Sequence, residues 1–286
     1  MLRASIILLF LLWLTPTQLA AAECDEVGCV AEQTFYMSWA LGYGQRSNPL
    51  HGGNTLPLAL LPEIYYYGER WFFDNGRIGS ALYIRDNWQL SINGQFNHEK
   101  GYFKNWFGGN VFQLDNAPLL LPDLTTSAEV IGPLPLSINE VNKRPTAFDI
   151  GLQLDWFNKR WQWQWAIWQD ASGKHHGQYV TVGVARLWHT PVGAWQLGSR
   201  VHWKSANLID TYYGISADEA GNGLPYQGQS SVQPELRLNW TLPLSDKLSV
   251  IAFGRYLHLD DAMTDSPLVK SDYIVTWFAG ISYRFY

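Results

Sequence analysis

Four groups of side chains in this sequence could do chemistry. His175 and His176 stand together in Gly173-Lys174-His175-His176-Gly177, where imidazoles would serve a metal or a proton transfer. Two adjacent residues seldom converge on one ion, so the pair reads as a polar turn that caps a hairpin. His202 and Ser205 would be a base and a nucleophile, but they lie three apart at the end of an extended segment. Alternation with period two sends their side chains to opposite faces. Asp260, Asp261 and Asp265 could offer oxygen ligands to a hard cation, yet they lack the ligand spacing and glycine of a calcium loop. A solvated acidic loop is the expectation. Tyr212-Tyr213-Gly214 could stack on a sugar; an aromatic unit that orders a loop needs no ligand. No catalytic residue set, metal set or cofactor is expected, and the chain reads as a non-enzyme.

The elements that would position these residues follow from composition and period. Charged residues make up 16% of the 286 residues and aromatics 15%, with 15 Trp and 15 Tyr. An ordinary soluble domain carries about 25% charged residues. Lys and Arg number 20 against 25 Asp and Glu, a net charge of −5, which excludes the basic surplus a nucleic-acid binder needs. Arg3, the apolar stretch Ile6 to Leu14, and Ala20-Ala21-Ala22 have the form of a cleaved export signal over residues 1–22. Residues 23–33 then read as a periplasmic N-terminal segment and 34–286 as one domain. Cys24 and Cys29 would close a small disulfide loop in an oxidising compartment.

Beyond residue 22 no apolar run is long enough for a membrane helix. Alternation recurs instead: Phe148, Ile150, Leu152, Leu154 and Trp156 oppose Asp149, Gly151, Gln153 and Asp155. Pro234, Leu236, Leu238 and Trp240 likewise oppose Glu235, Arg237 and Asn239. A polar face of Asp, Arg, Gln and Gly is tolerated inside a barrel and would be left unsatisfied in a dry sandwich core. Trp and Tyr gather near strand ends, where amphipathic rings suit a membrane interface. The fold predicted is all-β: a transmembrane antiparallel β-barrel in the outer membrane of a Gram-negative cell, surrounded by its lipid, with about twelve strands and long extracellular loops. Ten strands is the alternative if Asp74-Asn75-Gly76 is a bulge and not a turn. The long segments 98–146, 205–231 and 259–272 would lie outside, and the sequence leaves open whether 98–146 folds over the mouth or into the lumen. Asp149, Asp155, Arg200, Glu235, Arg237 and Arg255 should face inward, their mixed signs making a salt-bridged filling and a narrow or closed lumen.

Several ordered segments resemble the MipA/OmpV family. They are Gly173 to Gly177, which includes His176 and Gly177, then Asp210 to Ser216 with Tyr212, Tyr213 and Gly214, then Gly223-Leu224-Pro225-Tyr226. Asp260 to Val269 follows, with Asp265, Ser266 and Pro267, and a closing strand reads Gly280-Ile281-Ser282-Tyr283-Arg284-Phe285. In the first half Leu56-Pro57-Leu58, Tyr65-Tyr66-Tyr67-Gly68 and Trp71-Phe72-Phe73 are similar too. The resemblance implies a scaffold for cell-envelope proteins, whose partners would be a murein lytic transglycosylase and a penicillin-binding protein. Other members of the family resemble porin-like proteins, surface adhesins or antigens, which gives a small-solute pore or an adhesin as the other reading.

Overall fold

The computed structural model describes residues 33–103, 135–158, 160–221 and 223–285. Over these the chain winds twelve antiparallel strands into a closed barrel, each strand pairing with its sequence neighbours and β1 closing on β12. The strands are β1 (Thr34–Arg46), β2 (Leu56–Tyr67), β3 (Trp71–Asp74), β4 (Arg77–Arg85), β5 (Trp88–Phe96) and β6 (Phe148–Asn158). They continue as β7 (Trp161–Asp170), β8 (Gln178–Thr190), β9 (Gly193–Lys204), β10 (Ser231–Pro243), β11 (Leu248–His258) and β12 (Tyr273–Arg284). Two helices, α1 (Ala206–Tyr213) and α2 (Asp261–Thr264), and a 3₁₀ turn at Glu99–Phe103 lie in the connections. None of the described helices is long and apolar enough to cross a membrane. The expected export signal, Cys24, Cys29, Leu119-Leu120-Leu121 and Tyr286 fall outside the described residues.

Twelve strands, and not ten, follow from Asn75 and Gly76. Their φ angles of 48° and 92° make a two-residue turn that sets Asp74 opposite Arg77. Because β3 has only four residues, it pairs with Tyr65–Tyr67 alone. Above that point Leu56–Glu63 has a strand partner among the described residues only on its β1 side. Pro57 and Pro62 sit in this stretch, where a missing N–H costs the sheet least.

The pleat sorts the faces. Leu41, Ile92, Leu152, Ile167, Val201, Leu236 and Ile281 are exposed on the outside, while Ser91, Asn93, Gln153, Thr181, Gln233 and Glu235 are buried toward the axis. Lipid offers no hydrogen bonds, so a sheet that contacts it must close on itself. Aromatic pairs gather at both ends of the wall. Trp195–Trp240, Trp88–Trp156 and Tyr283–Phe285 lie toward the short turns, and Tyr43–Trp277, Tyr256–Tyr273 and Phe96–Phe148 toward the long loops. These are the two interfacial girdles of an outer-membrane barrel.

Among the described residues the long connections pack against one another. Leu50, Tyr102, Ile138, Leu208, Ile209, Tyr212, Tyr213, Met263, Leu268 and Val269 form one buried apolar cluster with Leu257 and Ile274 from the upper ends of β11 and β12. Short antiparallel bridges, Leu50 to Val269 and Ile215 to Tyr226, tie the loops together. Long loops lie on the extracellular side of bacterial barrels, so this cluster caps the outer mouth. The described ends of the 98–146 segment belong to the cap: Tyr102 and Ile138 enter its core, and the Leu136 N–H bonds the Pro267 carbonyl at 3.0 Å.

Candidate functional site

The inward faces of β8 to β11 bring most of the predicted lumen charges together. Glu235 Oε2 accepts from Arg255 Nε at 2.7 Å and lies 2.6 Å from its Nη2 and 3.3 Å from His202 Nε2. Its other oxygen lies 3.4 Å from Arg237 Nε, within ion-pair range but without a hydrogen bond. One carboxylate therefore serves two arginines and a histidine. Asp155, across the lumen, accepts from Gln153 at 2.7 Å and Gln164 at 3.2 Å and bonds no arginine. Arg77 bonds Asp74 at 3.1 Å and Gln153 at 3.0 Å. Side chains divide the lumen into two cavities of about 330 and 430 Å³, and Arg77, Gln153, Gln164, Arg200 and Arg237 line both.

The sixth lumen charge, Asp149, is placed differently. It sits at the outer end of β6, fully buried, beside the adjacent histidines of the β7–β8 turn. The structure separates those two residues. His175 turns its ring inward, with Nε2 at 2.9 Å from Asp149 Oδ1 and Nδ1 accepting the Gly177 N–H at 2.9 Å. His176 stays exposed at a φ of 50°. An Nδ1 that accepts leaves the proton on Nε2, which assigns the tautomer from the network. Asp149, Asp170 and His175 each present an atom within 4.8 Å of the others, the spacing of a metal site. Those atoms are already engaged: Asp170 takes Ser172 on one oxygen and the His175 and His176 N–H groups on the other, and Asn97 holds Asp149 at 2.8 Å. The cluster is a hydrogen-bonded hairpin cap. Gly177 is needed where α1 crosses it, since a Cβ there would meet Leu208 N at 2.7 Å.

Around this hairpin the ordered sequence segments converge in the cap. Tyr212 and Tyr213 are fully buried on α1, a packing role for the tyrosine pair. Gly214 N–H closes the helix onto Asp210, and Ser266 Oγ donates to the Tyr213 carbonyl at 2.6 Å. Tyr226 Oη donates to the Ala262 carbonyl at 2.8 Å, joining the Gly223–Tyr226 segment to α2. Asp265 caps the end of α2, Pro267 receives Leu136, and Asp260 accepts from Ser231 and Val232 at the start of β10. Of the acidic trio, Asp261 and Asp265 are exposed, but Asp260 is a structural acceptor and not a merely solvated side chain.

A family model described as MltA-interacting protein MipA matches residues 40–285. The chain belongs to that family. The MltA-interacting protein of Escherichia coli (strain K12) is 37% identical over 90 residues, which are 31% of this chain and 36% of that relative. A second relative from the same strain, YiaT, named as an outer membrane protein, is 33% identical over 81 residues, 28% of this chain and 33% of the relative. The chain spans about a third of the length of these curated relatives. Among solved structures, an outer membrane channel from Pseudomonas putida F1 is similar over 92% of this chain and all of its own, at 8% identity and a TM-score of 0.39.

Two charged staples of this MipA-family barrel were not singled out by the sequence. Glu99, in the 3₁₀ turn, lies 2.6 Å from Lys204 Nζ and accepts from Tyr213 Oη at 2.5 Å. Burial alone would push its carboxyl up, but Lys204, the Tyr213 hydroxyl and the nearby Arg46 outweigh that and hold it below the usual range. Burial and the Glu99 charge together push the Tyr213 hydroxyl well above its ordinary value. Arg144 lies 3.0 Å from Glu219 and donates to the carbonyls of Tyr212 and Gly214, the end of α1. Partners this distant in sequence leave no local pattern. A signal for α1 itself was present: Leu208, Ile209, Tyr212 and Tyr213 recur at helical spacing behind Ser205. His202 and Ser205 are not a pair, because His202 faces Thr181 and Glu235 in the lumen while Ser205 Oγ accepts the Gln178 N–H at the rim.

Proposed function

We propose that this MipA-family barrel is a non-enzymatic scaffold of the outer membrane that holds peptidoglycan-remodelling proteins at its periplasmic end. The observation that carries the reading is the capped outer mouth, where the loop core packs directly onto β11 and β12 above a lumen crossed by the Glu235 network. Such a barrel offers a rigid wall and short periplasmic turns in place of a wide aqueous path. The name of the Escherichia coli relative supports a murein lytic transglycosylase as the partner, and a penicillin-binding protein would be the second component of the same assembly. The experiment is crosslinking in intact envelopes followed by affinity capture of the tagged barrel. A murein hydrolase or synthase in the captured fraction is expected, and a fraction without either would refute the scaffold.

A small-solute pore is the second reading, favoured by the two cavities that share one lining layer along the axis. Purified protein in planar bilayers separates the two. The scaffold is expected to give no steady single-channel steps, whereas large salt-dependent steps would favour the pore.

A further inference from the structure

The charge of the lumen runs against the charge of the chain. The protein as a whole carries −5, yet the two cavities are lined by Arg46, Arg77, Arg200, Lys204, Arg237 and Arg255 against the carboxylates of Glu99, Asp155 and Glu235. Those cations are unevenly satisfied. Lys204 has Glu99, Arg46 has the Tyr102 hydroxyl, Arg77 has Asp74 and Arg255 has Glu235. Arg237 stands directly opposite Arg255 across β10 and β11, an arrangement of like charges that destabilises a sheet unless something neutralises it. Among the described residues its one ion-pair partner is the Glu235 oxygen that Arg255 does not use. Arg200 stands opposite Glu235 across β9 and β10, yet makes no hydrogen bond or ion pair with any described residue. Its stem crosses Gly183, whose missing side chain leaves room for it, and its guanidinium faces both cavities.

From this geometry we infer an oxyanion-binding site inside the barrel, in which Arg200 and Arg237, with Arg77 across the lumen, hold a small ligand bearing at least two acceptor oxygens. A guanidinium presents a planar fork of donors that matches phosphate or carboxylate oxygens two at a time. Several cations share the one Glu235 carboxylate, so an anion that completes the layer gains both charge pairing and hydrogen bonds. Gln153, Gln164 and Gln196 line the same space, each amide giving one hydrogen to Asp155 or Gln162 and keeping a second, and 330 Å³ far exceeds the roughly 10–15 Å³ that one water needs. Entry is from the periplasmic end, where the smaller cavity is bounded by Phe157 and by a solvent-exposed hydrogen bond between Gln196 and Gln162. The outer end is covered by the cap. This site does not depend on the scaffold reading, since it needs no protein partner.

The test is calorimetric titration of the full barrel in detergent with inorganic phosphate, and separately with acetate, both against sodium chloride at matched ionic strength. Saturable binding of either anion is expected, and the preferred one assigns phosphate or carboxylate chemistry. Arg200→Gln should weaken it at least about tenfold, as for loss of a hydrogen bond to a charged group. Arg85→Gln, at an exposed arginine outside the lumen lining, should leave it unchanged. If Arg200→Gln fails to fold, Arg237→Gln carries the same expectation. The wild-type protein gives an independent readout, because phosphate should slow phenylglyoxal labelling of Arg200 and not of Arg85. Binding no stronger than chloride for both anions, equal affinity in the lumen variants, or labelling of Arg200 indifferent to phosphate would each overturn the site.

Discussion

Replacing Arg144 by Ala should loosen the extracellular cap without opening the barrel wall. The side chain pairs with Glu219 at 3.0 Å, with the two side chains only 9% and 4% exposed, and donates to the carbonyls of Tyr212 at 3.0 Å and Gly214 at 2.7 Å. Removing one partner of a buried pair costs about 3–5 kcal/mol, because the other charge is left uncompensated. Glu219 keeps the N–H groups of Asn142 and Ser216, which places the loss near the lower end of that range. The two freed carbonyls at the end of α1 add cost, though contributions within one network do not sum. A loss of about 3 kcal/mol is roughly a hundredfold in an opening equilibrium. Amide hydrogen exchange is the assay: α1 amides such as Ile209 and Gly214 should exchange about a hundredfold faster in the variant, while amides of β8 and β9 keep their protection. The doubly substituted Arg144→Ala/Glu219→Gln protein should recover part of the loss. Unchanged α1 protection in Arg144→Ala would refute the claim that this ion pair holds the cap down.

Three further outcomes are expected. Glu219 and Glu99 both have carboxyls held below their ordinary range in the folded cap, so their contribution is fully present above about pH 4.3, the unfolded value, and is lost as pH falls through the folded one; the protection of α1 amides, corrected for the intrinsic exchange rate at each pH, should therefore fall in acid, and less so in Glu219→Gln. His175→Ala removes a buried ring bonded to both Asp149 and Gly177 and should lower the midpoint of heat-modified mobility, by about 2–4 kcal/mol of stability, whereas His176→Ala at the exposed neighbour should stay within about 0.5 kcal/mol. Leu152→Arg, on the outward face of β6, should cost about 2–4 kcal/mol when the barrel is folded into lipid, as read by denaturant titration in bilayers, and an unchanged midpoint would refute a lipid-facing Leu152.

The barrel wall was legible from local pattern because a strand's period is a property of adjacent residues. Odd and even positions from Phe148 to Trp156 must face opposite ways whatever the rest of the chain does, and lipid outside with closure inside follows from backbone hydrogen bonding. The Asn75-Gly76 turn was not legible in this way, since a bulge and a hairpin are both compatible with Asp74-Asn75-Gly76 and only the two positive φ angles of the folded chain decide between them. The cap was legible only in its pieces. Its ordered segments are visible along the chain, but their meeting depends on contacts between distant residues: Leu50 with Val269, Glu99 with Tyr213, and Arg144 with Glu219.

Sequence alone therefore determined which side chains face lipid and which face the axis, because that choice is made one residue at a time. Tertiary structure decided which inward charges share a level, since strand register around a closed cylinder sets Arg200 beside Gly183 and Glu235 and sets Arg237 against Arg255. Register is a relation between strands, written in no single one of them. The chain is acidic overall, yet the space at its centre is lined by more arginine and lysine than carboxylate.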